Sequence, residues 1–360
     1  MATRMWDNTT EGEVWLVEPG LEAKEYDFEY MSPYDTDSSA DTMTTIQSTD
    51  LPTFFRIKYG RPFSAYEGVP MVLPADDDEI HRLRIQHLAL KLIIGDTLDD
   101  IITAHLLSDL SGRRKRVLDV RTQTGLWAEE IATKFPEVDV KTIDVAPTVP
   151  HMPRPNLEHE VYDVHEGILE ADGTFDIVHA RHSLCMVQDW HSLLRNMHRV
   201  LRPGGLFIFG ELYPQLTLPN EHVPALEGPA GRSADLFEGF RSILTKRDVM
   251  IEATQCIDAL LSPEHEIWRP QPNSGFHRIN HSVWELPING LWHPDPHMQE
   301  VGLFMAMNIC KFSESTRPMF LSTGLTDPEF DEWVHDIQRE IRDPMNNVVM
   351  RYHLVHALKL

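Results

Sequence analysis

Residues 117–128 read Val-Leu-Asp-Val-Arg-Thr-Gln-Thr-Gly-Leu-Trp-Ala, and this stretch decides the fold. The apolar run 117–120 predicts a buried strand, and Gly125 predicts a tight turn before a helix. A strand, a tight turn and a helix in this order form the place where a doubly wound α/β domain binds a nucleotide-like cofactor. We therefore expect a ligand crevice at the end of this strand.

The segments that follow alternate between strand and helix patterns. Predicted strands cover 138–143, 157–162, 175–180 and 206–210. Asp189 is a suitable N-cap for a helix whose apolar residues recur at i, i+3 and i+4. This alternation favours a parallel sheet with right-handed crossovers.

Acidic residues close three of the predicted strands. Asp119 lies near the end of the first strand, Asp144 follows the second and Asp163 follows the third. Asp144 comes 23 residues after Arg121, and an acid about 20 residues beyond such a turn hydrogen-bonds ribose hydroxyls. Because the carboxyl ends of parallel strands meet at one edge, we expect these acids to share a crevice.

The flanking regions have weaker patterns. A helix is predicted over 79–94, with acidic residues at its start, and two more helices over 233–244 and 246–261. A capping-box signature at Thr326 and Glu329 predicts a last helix over 327–342, and the tail 348–360 is expected to be a closing edge strand. The expected domains are an acidic, poorly ordered leader (1–53), an N-terminal helical cover (54–110), the nucleotide-binding core (111–212), a helical insertion that lids the cleft (213–300) and a C-terminal completion of the core (301–360).

Composition excludes several classes of function. The chain has 32 Lys and Arg against 56 Asp and Glu, a formal charge of −24, which disfavours direct binding to nucleic acid or to anionic membranes. No apolar run reaches the roughly 20 residues of a membrane span, and residues 1–8 lack the apolar core of a secretory signal. The 3 cysteines are far apart, which is typical of a reducing compartment. We expect a cytoplasmic or nuclear protein.

The stretch 117–128 resembles motif I of class I S-adenosylmethionine (SAM) methyltransferases, Leu-Asp-Val-Gly-x-Gly-x-Gly. Over residues 54–358 the order of motifs resembles LaeA-like fungal methyltransferases, including 59–66, 201–205, 284–287 and 326–342. The resemblance implies a Rossmann-like class I methyltransferase sheet with an N-terminal helical cover and a helical insertion. It also implies SAM as cofactor, a role in secondary metabolism and, for some members, a protein partner of velvet type.

The resemblance also implies roles for individual residues. It places Asp119, Gly125 and Trp127 beside the methionine half of SAM, and Asp144 on the ribose. It places Asp163 and Val164 at the adenine, and His179 and Arg181 at the methyl-transfer end. Tyr59 and Tyr66 belong to the cover over the cofactor.

Arg121 and Gln123 depart from the motif, because they stand where two glycines belong. A glycine is used there because a Cβ collides with the ligand or strains the backbone. Two outcomes stay open. In one, Arg121 folds away or pairs with the SAM carboxylate as a bidentate donor. In the other, it fills the pocket and the protein is a non-catalytic scaffold.

The candidate activity is methyl transfer to an O, N or S atom of a small, largely apolar metabolite. The alternatives are a regulatory or scaffolding subunit with a decayed SAM site, and a repurposed fold that catalyses another reaction. A hydroxyl acceptor needs a base; His182 is the first candidate, His179 the second and Glu211 the third. No histidine lies in a spacing typical of metal ligands, so we expect no metal.

Overall fold

A computed structural model describes residues 2–7, 12–17, 46, 50–66, 73–107, 112–148, 154–183, 187–221, 231–269 and 274–360. The chain divides into two compact units, Met1–Thr45 and Ile46–Leu360. In the first, β1 (Ala2–Asp7) and β2 (Gly12–Val17) pair as an antiparallel hairpin. This hairpin falls within the predicted leader, and most of the remaining leader lies outside the described residues.

The second unit is built on a 7-stranded sheet. Its strands are β5 (Lys115–Val120), β6 (Val138–Asp144), β7 (Leu157–Val161), β8 (Phe175–Arg181), β9 (Leu201–Thr217), β10 (Phe276–Pro287) and β11 (Val349–Lys359). A separate hairpin joins β3 (Phe55–Lys58) to β4 (Arg61–Ser64). The helices are α1 (Asp77–Ile94), α2 (Thr97–Leu107), α3 (Leu126–Lys134), α4 (Trp190–Val200), α5 (Gly231–Thr245), α6 (Ala253–Leu261), α7 (Pro296–Ser315), α8 (Arg317–Leu321) and α9 (Asp327–Ile341).

The strand order is β10-β11-β9-β8-β5-β6-β7. Strands β7, β6, β5, β8 and β9 are mutually parallel, and β11 runs antiparallel to both β9 and β10. Chain order reverses between β5 and β8, which makes their carboxyl ends a switch point for ligand binding. This topology confirms the predicted doubly wound, Rossmann-like α/β fold.

Local sequence explains the elements around the crevice. The side chain of Asp76 caps α1 by accepting a hydrogen bond from the backbone N of Glu79 at 3.0 Å, and Asp189 caps α4 through Ser192. Thr326 and Glu329 form the predicted capping box of α9. The last four residues of β5 and the first six of β8 are buried, as is typical of central parallel strands. None of the described helices is both apolar enough and long enough to cross a membrane.

Two expectations about the C-terminal half are wrong. The tail strand β11 lies inside the sheet, between β9 and β10, and β10 forms the edge instead. Residues 276–287 were expected to lie in a helical insertion, but they form the strand β10.

Candidate functional site

A cavity of about 140 Å³ lies at the carboxyl ends of the central strands. Residues at or just after the ends of β5, β6 and β8, together with residues within β9, line it on the sheet side, and α1, α5 and α7 contribute its walls. The polar lining comprises Glu79, Arg82, Gln86, Arg121, Gln123, Asp144, Thr148, His182, Glu211 and Asn308. The cavity therefore occupies the position where this class of sheet binds ligands.

The turn after β5 keeps the backbone path of a glycine turn without its first two glycines. Arg121, Gln123 and Gly125 have φ values of 63°, 52° and 70°, all in the left-handed region. A non-glycine residue held there costs of order 1–3 kcal/mol, so the surrounding contacts must hold the turn. The backbone N of Arg121 donates to Ile143 O at 2.8 Å, and Thr148 Oγ1 donates to Gln123 O at 2.6 Å.

Arg121 does not fold away from the crevice. Its side chain is 4% exposed and its Nη1 donates to Asp144 Oδ1, the acid predicted to bind ribose. Asp144 also accepts from the backbone N of Gln123 at 2.9 Å and of Val145 at 2.7 Å. Arg121 Nε is buried and has no hydrogen-bond partner within the described residues. The Arg121 guanidinium thus binds the Asp144 carboxylate, and its Nε–H is still available to donate a hydrogen bond.

Asp119 and His179 lie together on neighbouring strands and do not line the cavity. His179 Nδ1 lies 2.7 Å from Asp119 Oδ1, and Thr122 Oγ1 donates to Asp119 Oδ2 at 2.7 Å. Trp127 stacks on the His179 ring, with centroids 3.7 Å apart, and burial lowers the pKa of His179. These contacts give His179 a structural role, because its ring is enclosed by Trp127 and Asp119.

The predicted cover and adenine residues also lie outside the cavity lining. Tyr66 Oη donates to Asp163, and this bond raises the pKa of Tyr66 to about 12. Val164 is fully buried, whereas Tyr59 is 57% exposed in the β3–β4 hairpin. Arg181 is half-buried and makes no side-chain hydrogen bond or ion pair with the described residues. The Tyr66–Asp163 contact joins the N-terminal segment to the end of β7.

Two of the three predicted base candidates, His182 and Glu211, line the cavity. His182 follows β8 with a φ of 52°. Its ring nitrogens both lie 3.0 Å from Gln86 Nε2, and its Nδ1 lies 3.7 Å from Glu211 Oε1. Burial and the positive charges of Arg181 and Arg82 hold the pKa of His182 well below 6.5. The imidazole is therefore neutral at pH 7.

Sequence reasoning missed a group of polar residues on the helices that wall the cavity. Glu79, Arg82 and Gln86 on α1 and Asn308 on α7 are each at most 5% exposed. Arg82 donates to Gln86 Oε1 at 2.6 Å and to Asn308 Oδ1 at 2.7 Å. The spacing 79, 82, 86 puts the first three on one face of α1. This row of polar residues on one helix face was the sequence signal that could have indicated them.

The remaining wall is apolar and aromatic. Phe237 and Phe240 of α5 and Phe312 of α7 line the cavity, and the rings of Phe237 and Phe312 are stacked with an interplanar angle of 6°. The described residues contain no group of three or more His, Cys, Asp or Glu side chains placed to hold a metal ion. The cavity thus combines a polar corner with an aromatic wall.

Comparisons with known proteins show which methyltransferases the chain resembles. A profile described as a methyltransferase domain matches residues 96–245. The chain is 37% identical over 153 residues to the secondary metabolism regulator laeA of Coprinopsis cinerea, covering 42% of this chain and 38% of that protein. The chain therefore contains a methyltransferase domain and is similar to LaeA-like class I SAM-dependent methyltransferases. This methyltransferase is also 25% identical over 282 residues to methyltransferase pytC of Aspergillus terreus, covering 78% of each protein, and 27% identical over 302 residues to laeA of Aspergillus flavus, covering 82% and 74%.

The residues of the crevice fit SAM, the methyl donor of this family. The left-handed turn keeps the backbone path that lets such a cofactor approach. Asp144 stands at the end of the second parallel strand, the position of a ribose-binding acid. The buried, unpartnered Nε of Arg121 is a donor that suits an anionic group such as the cofactor carboxylate. In the structure Asp144 is engaged by Arg121.

Proposed function

We propose that this methyltransferase transfers a methyl group from SAM to an O, N or S atom of a small, largely apolar metabolite in fungal secondary metabolism. One observation carries the proposal. A single cavity is lined by Arg121 and Asp144, by neutral His182 and by the aromatic rings of Phe237, Phe240 and Phe312. Methyl transfer needs the donor and acceptor sites to adjoin in this way, because the acceptor must be aligned with the methyl group.

The proposal gives the lining residues different roles. Asp144, Arg121 and the turn hold the cofactor, and bound SAM supplies an electrophilic methyl group. His182 accepts the proton of a hydroxyl acceptor, which its neutral state allows. A positioned base of this kind contributes typically 10²–10⁴-fold to the rate. The predicted roles of Asp163, Val164, Tyr59, Tyr66 and Arg181 around the adenine and the methyl-transfer end remain part of the proposal.

A second candidate function rests on the Arg121–Asp144 ion pair. Because this pair engages the ribose-binding acid, a protein in which it never opens would not bind SAM. Such a protein would serve as a regulatory or scaffolding subunit, with a protein partner of velvet type. The two candidates differ in whether the protein as it exists takes up SAM.

The test of the proposed function is label transfer from methyl-tritiated SAM to a panel of small apolar phenols, amines and thiols. His182→Gln should reduce transfer to hydroxyl acceptors by about 10²–10⁴-fold, with the calorimetric affinity for SAM within threefold of wild type. The matched control is His335→Gln, because His335 is exposed on α9. Equal transfer by wild type and His182→Gln would contradict the role of His182, and absence of SAM binding would favour the scaffold.

A further inference from the structure

Two polar side chains beside the cavity have no partner within the described residues. Arg181 is the last residue of β8, is half-buried, and makes no hydrogen bond or ion pair with them. Tyr352 on β11 is 2% exposed, and its hydroxyl likewise makes no hydrogen bond with them. Interior polar groups are almost always paired, and leaving a charge or a hydroxyl unpaired costs free energy. Groups that the fold leaves unpaired are available to a ligand.

Strand pairing brings these two side chains to one face of the sheet. Arg181 pairs with Gly210 of β9, and residues paired across parallel strands direct their side chains to the same face. A Cβ built on Gly210 would lie 1.9 Å from Tyr352 Oη. The phenol of Tyr352 therefore crosses over Gly210 and occupies the space of its missing side chain. This space is one strand spacing, about 5 Å, from the strand that carries Arg181.

The two side chains adjoin the cavity on its sheet side. Tyr352 pairs with Leu212 of β9, and Leu212 lines the cavity. The ring of Tyr352 also lies 6.3 Å, centroid to centroid, from the ring of His182, another lining residue. In the strand order, β8, β9 and β11 lie on the opposite side of β5 from β6. Arg181 and Tyr352 are therefore separated from Asp144 by the turn after β5.

Both groups donate hydrogen bonds at neutral pH. Burial raises the pKa of Tyr352, so its phenol keeps the proton. A guanidinium is always charged and only donates. Besides burial, the positive charge of Arg181 lowers the pKa values of His179 and His182, so this charge acts on the interior of the protein. Two donors, one of them cationic, suit a ligand with an anionic oxygen.

Two carboxylates of this region are engaged by other groups. Asp119 contacts His179 Nδ1 at 2.7 Å with one oxygen and accepts from Thr122 Oγ1 at 2.7 Å with the other. Glu211 Oε1 accepts from the backbone N of Leu212 at 3.1 Å. Within the described part of the chain, neither carboxylate forms an ion pair with Arg181. Direct contact with a carboxylate of the protein therefore does not neutralise this guanidinium.

We propose that Arg181 and Tyr352 form a carboxylate-binding subsite beside His182, in which the guanidinium supplies the positive charge and the phenol supplies a further hydrogen bond. A carboxylate matches one guanidinium in charge and accepts from it with both oxygens. The inference rests on the proposed function, because either ligand of that reaction can carry this group. SAM carries a carboxylate at its amino-acid end, and an apolar acceptor carries one if it is a carboxylic acid.

The first arm of the test concerns the acceptor. Cinnamate and its neutral amide, cinnamamide, are titrated calorimetrically into the full chain, with and without saturating S-adenosylhomocysteine. If the subsite holds the acceptor, wild type should bind cinnamate about tenfold or more tightly than cinnamamide, because hydrogen bonds to charged groups are the stronger kind. Arg181→Met should abolish this preference, and Tyr352→Phe should reduce it by about threefold to tenfold. Arg195→Met is the matched control, because Arg195 is exposed on α4, and it should keep the preference.

The second arm concerns the cofactor. SAM and decarboxylated SAM, which lacks only the carboxylate, are titrated into the same proteins. If the subsite holds the cofactor, Arg181→Met should weaken SAM binding by about tenfold or more and change binding of decarboxylated SAM by less than about threefold. A preference for the carboxylate that is lost in one arm assigns the subsite to that ligand. A preference that is absent from wild type in both arms, or that survives Arg181→Met in both, overturns the proposal.

Thermal unfolding separates a binding role from a structural one. Because neither group has a partner to lose, Arg181→Met and Tyr352→Phe should unfold at the wild-type midpoint or above it. Midpoints lowered by more than about 5 °C in both variants would show that these side chains stabilise the fold, and would overturn the subsite. Where Arg181→Met does not fold, Arg181→Lys replaces it. Lysine keeps the charge without the paired donors, so this variant should lose part of the preference.

None of these measurements requires methyl transfer. Binding of a carboxylate through Arg181, with no transfer of label from SAM to any acceptor, would reject the proposed function and support the subsite. Transfer of label by a protein that lacks the carboxylate preference would support the proposed function and reject the subsite.

Discussion

Arg121 and Asp144 form an ion pair across the ends of β5 and β6, at the bottom of the cavity. Both side chains are at most 6% exposed, and the backbone N of Gln123 and of Val145 also donate to Asp144. The residue that replaces a glycine of motif I therefore contacts the acid that its distance from the turn predicts as the ribose ligand. The same ion pair therefore stabilises the turn after β5 and engages the acid that a ligand in the crevice is expected to bind.

The first prediction concerns the stability of this pair. Asp144→Asn leaves the buried Arg121 without its counter-charge, so the free energy of unfolding should fall by about 3–5 kcal/mol. Urea unfolding followed by circular dichroism measures the loss. The control is the double variant Arg121→Met with Asp144→Asn, which removes both charges and should recover at least half of it. A loss below about 1 kcal/mol in the single variant would show that the pair is dispensable.

The second prediction concerns the contact between α7 and the turn before it. A Cβ built on Gly302 would lie 2.2 Å from the backbone N of Gly290, so the two segments must separate. An alanine in a helix normally stabilises by about 0.5–1 kcal/mol, but Gly302→Ala should destabilise by about 1–3 kcal/mol. Its control is Gly239→Ala in α5, where the obstacle is the ring edge of Phe320 at 2.7 Å and a side chain can move. The midpoint of thermal unfolding should be lower for Gly302→Ala than for Gly239→Ala. The opposite order would contradict the packing described.

The third prediction concerns acid pH. Burial, with His281 and Arg351 nearby, lowers the pKa of His353 to about 4. Between pH 6.5 and pH 4 the unfolded chain binds a proton at this site and the folded chain does not, so stability falls as pH falls through this window. The contribution is about 3 kcal/mol at most, at 1.36 kcal/mol for each pKa unit.

His353→Gln removes this proton-binding site, so the free energy of unfolding should depend less steeply on pH from 6.5 to 4 than in wild type. Urea titrations at several pH values measure the slope. His335→Gln serves as the exposed control and should keep the wild-type slope. Parallel curves for wild type and His353→Gln would show that His353 titrates normally in the folded protein.

The central strands could be predicted because burial on both faces makes them mainly apolar. The predicted 117–120 and 175–180 correspond to β5 and β8 to within two residues. Strand β10 could not be predicted in this way, since much of its surface is exposed and its polar residues interrupt the pattern. The position of β11 inside the sheet could not be predicted either. It depends on pairing with segments that are distant in the sequence, and a local sequence pattern carries no information about such pairing.

The cavity was predicted in part. Arg121, Asp144 and His182 line it, because the ends of neighbouring parallel strands meet at one edge. Asp119 and Trp127 pack beneath it with His179, since side chains alternate along a strand and only some reach the crevice. Arg82 was missed because an arginine on a helix is usually exposed, and only tertiary packing shows that Glu79, Gln86 and Asn308 satisfy it.

The most direct measurement is calorimetric titration of SAM into the wild-type protein and into the double variant Arg121→Gly with Gln123→Gly. Because the wild-type turn already follows the glycine path and Arg121 keeps a free donor, we predict saturable one-to-one binding by wild type. Binding heat from the glycine variant, with no binding heat from wild type, would contradict this prediction. It would mean that the Arg121–Asp144 pair closes the site in the natural protein.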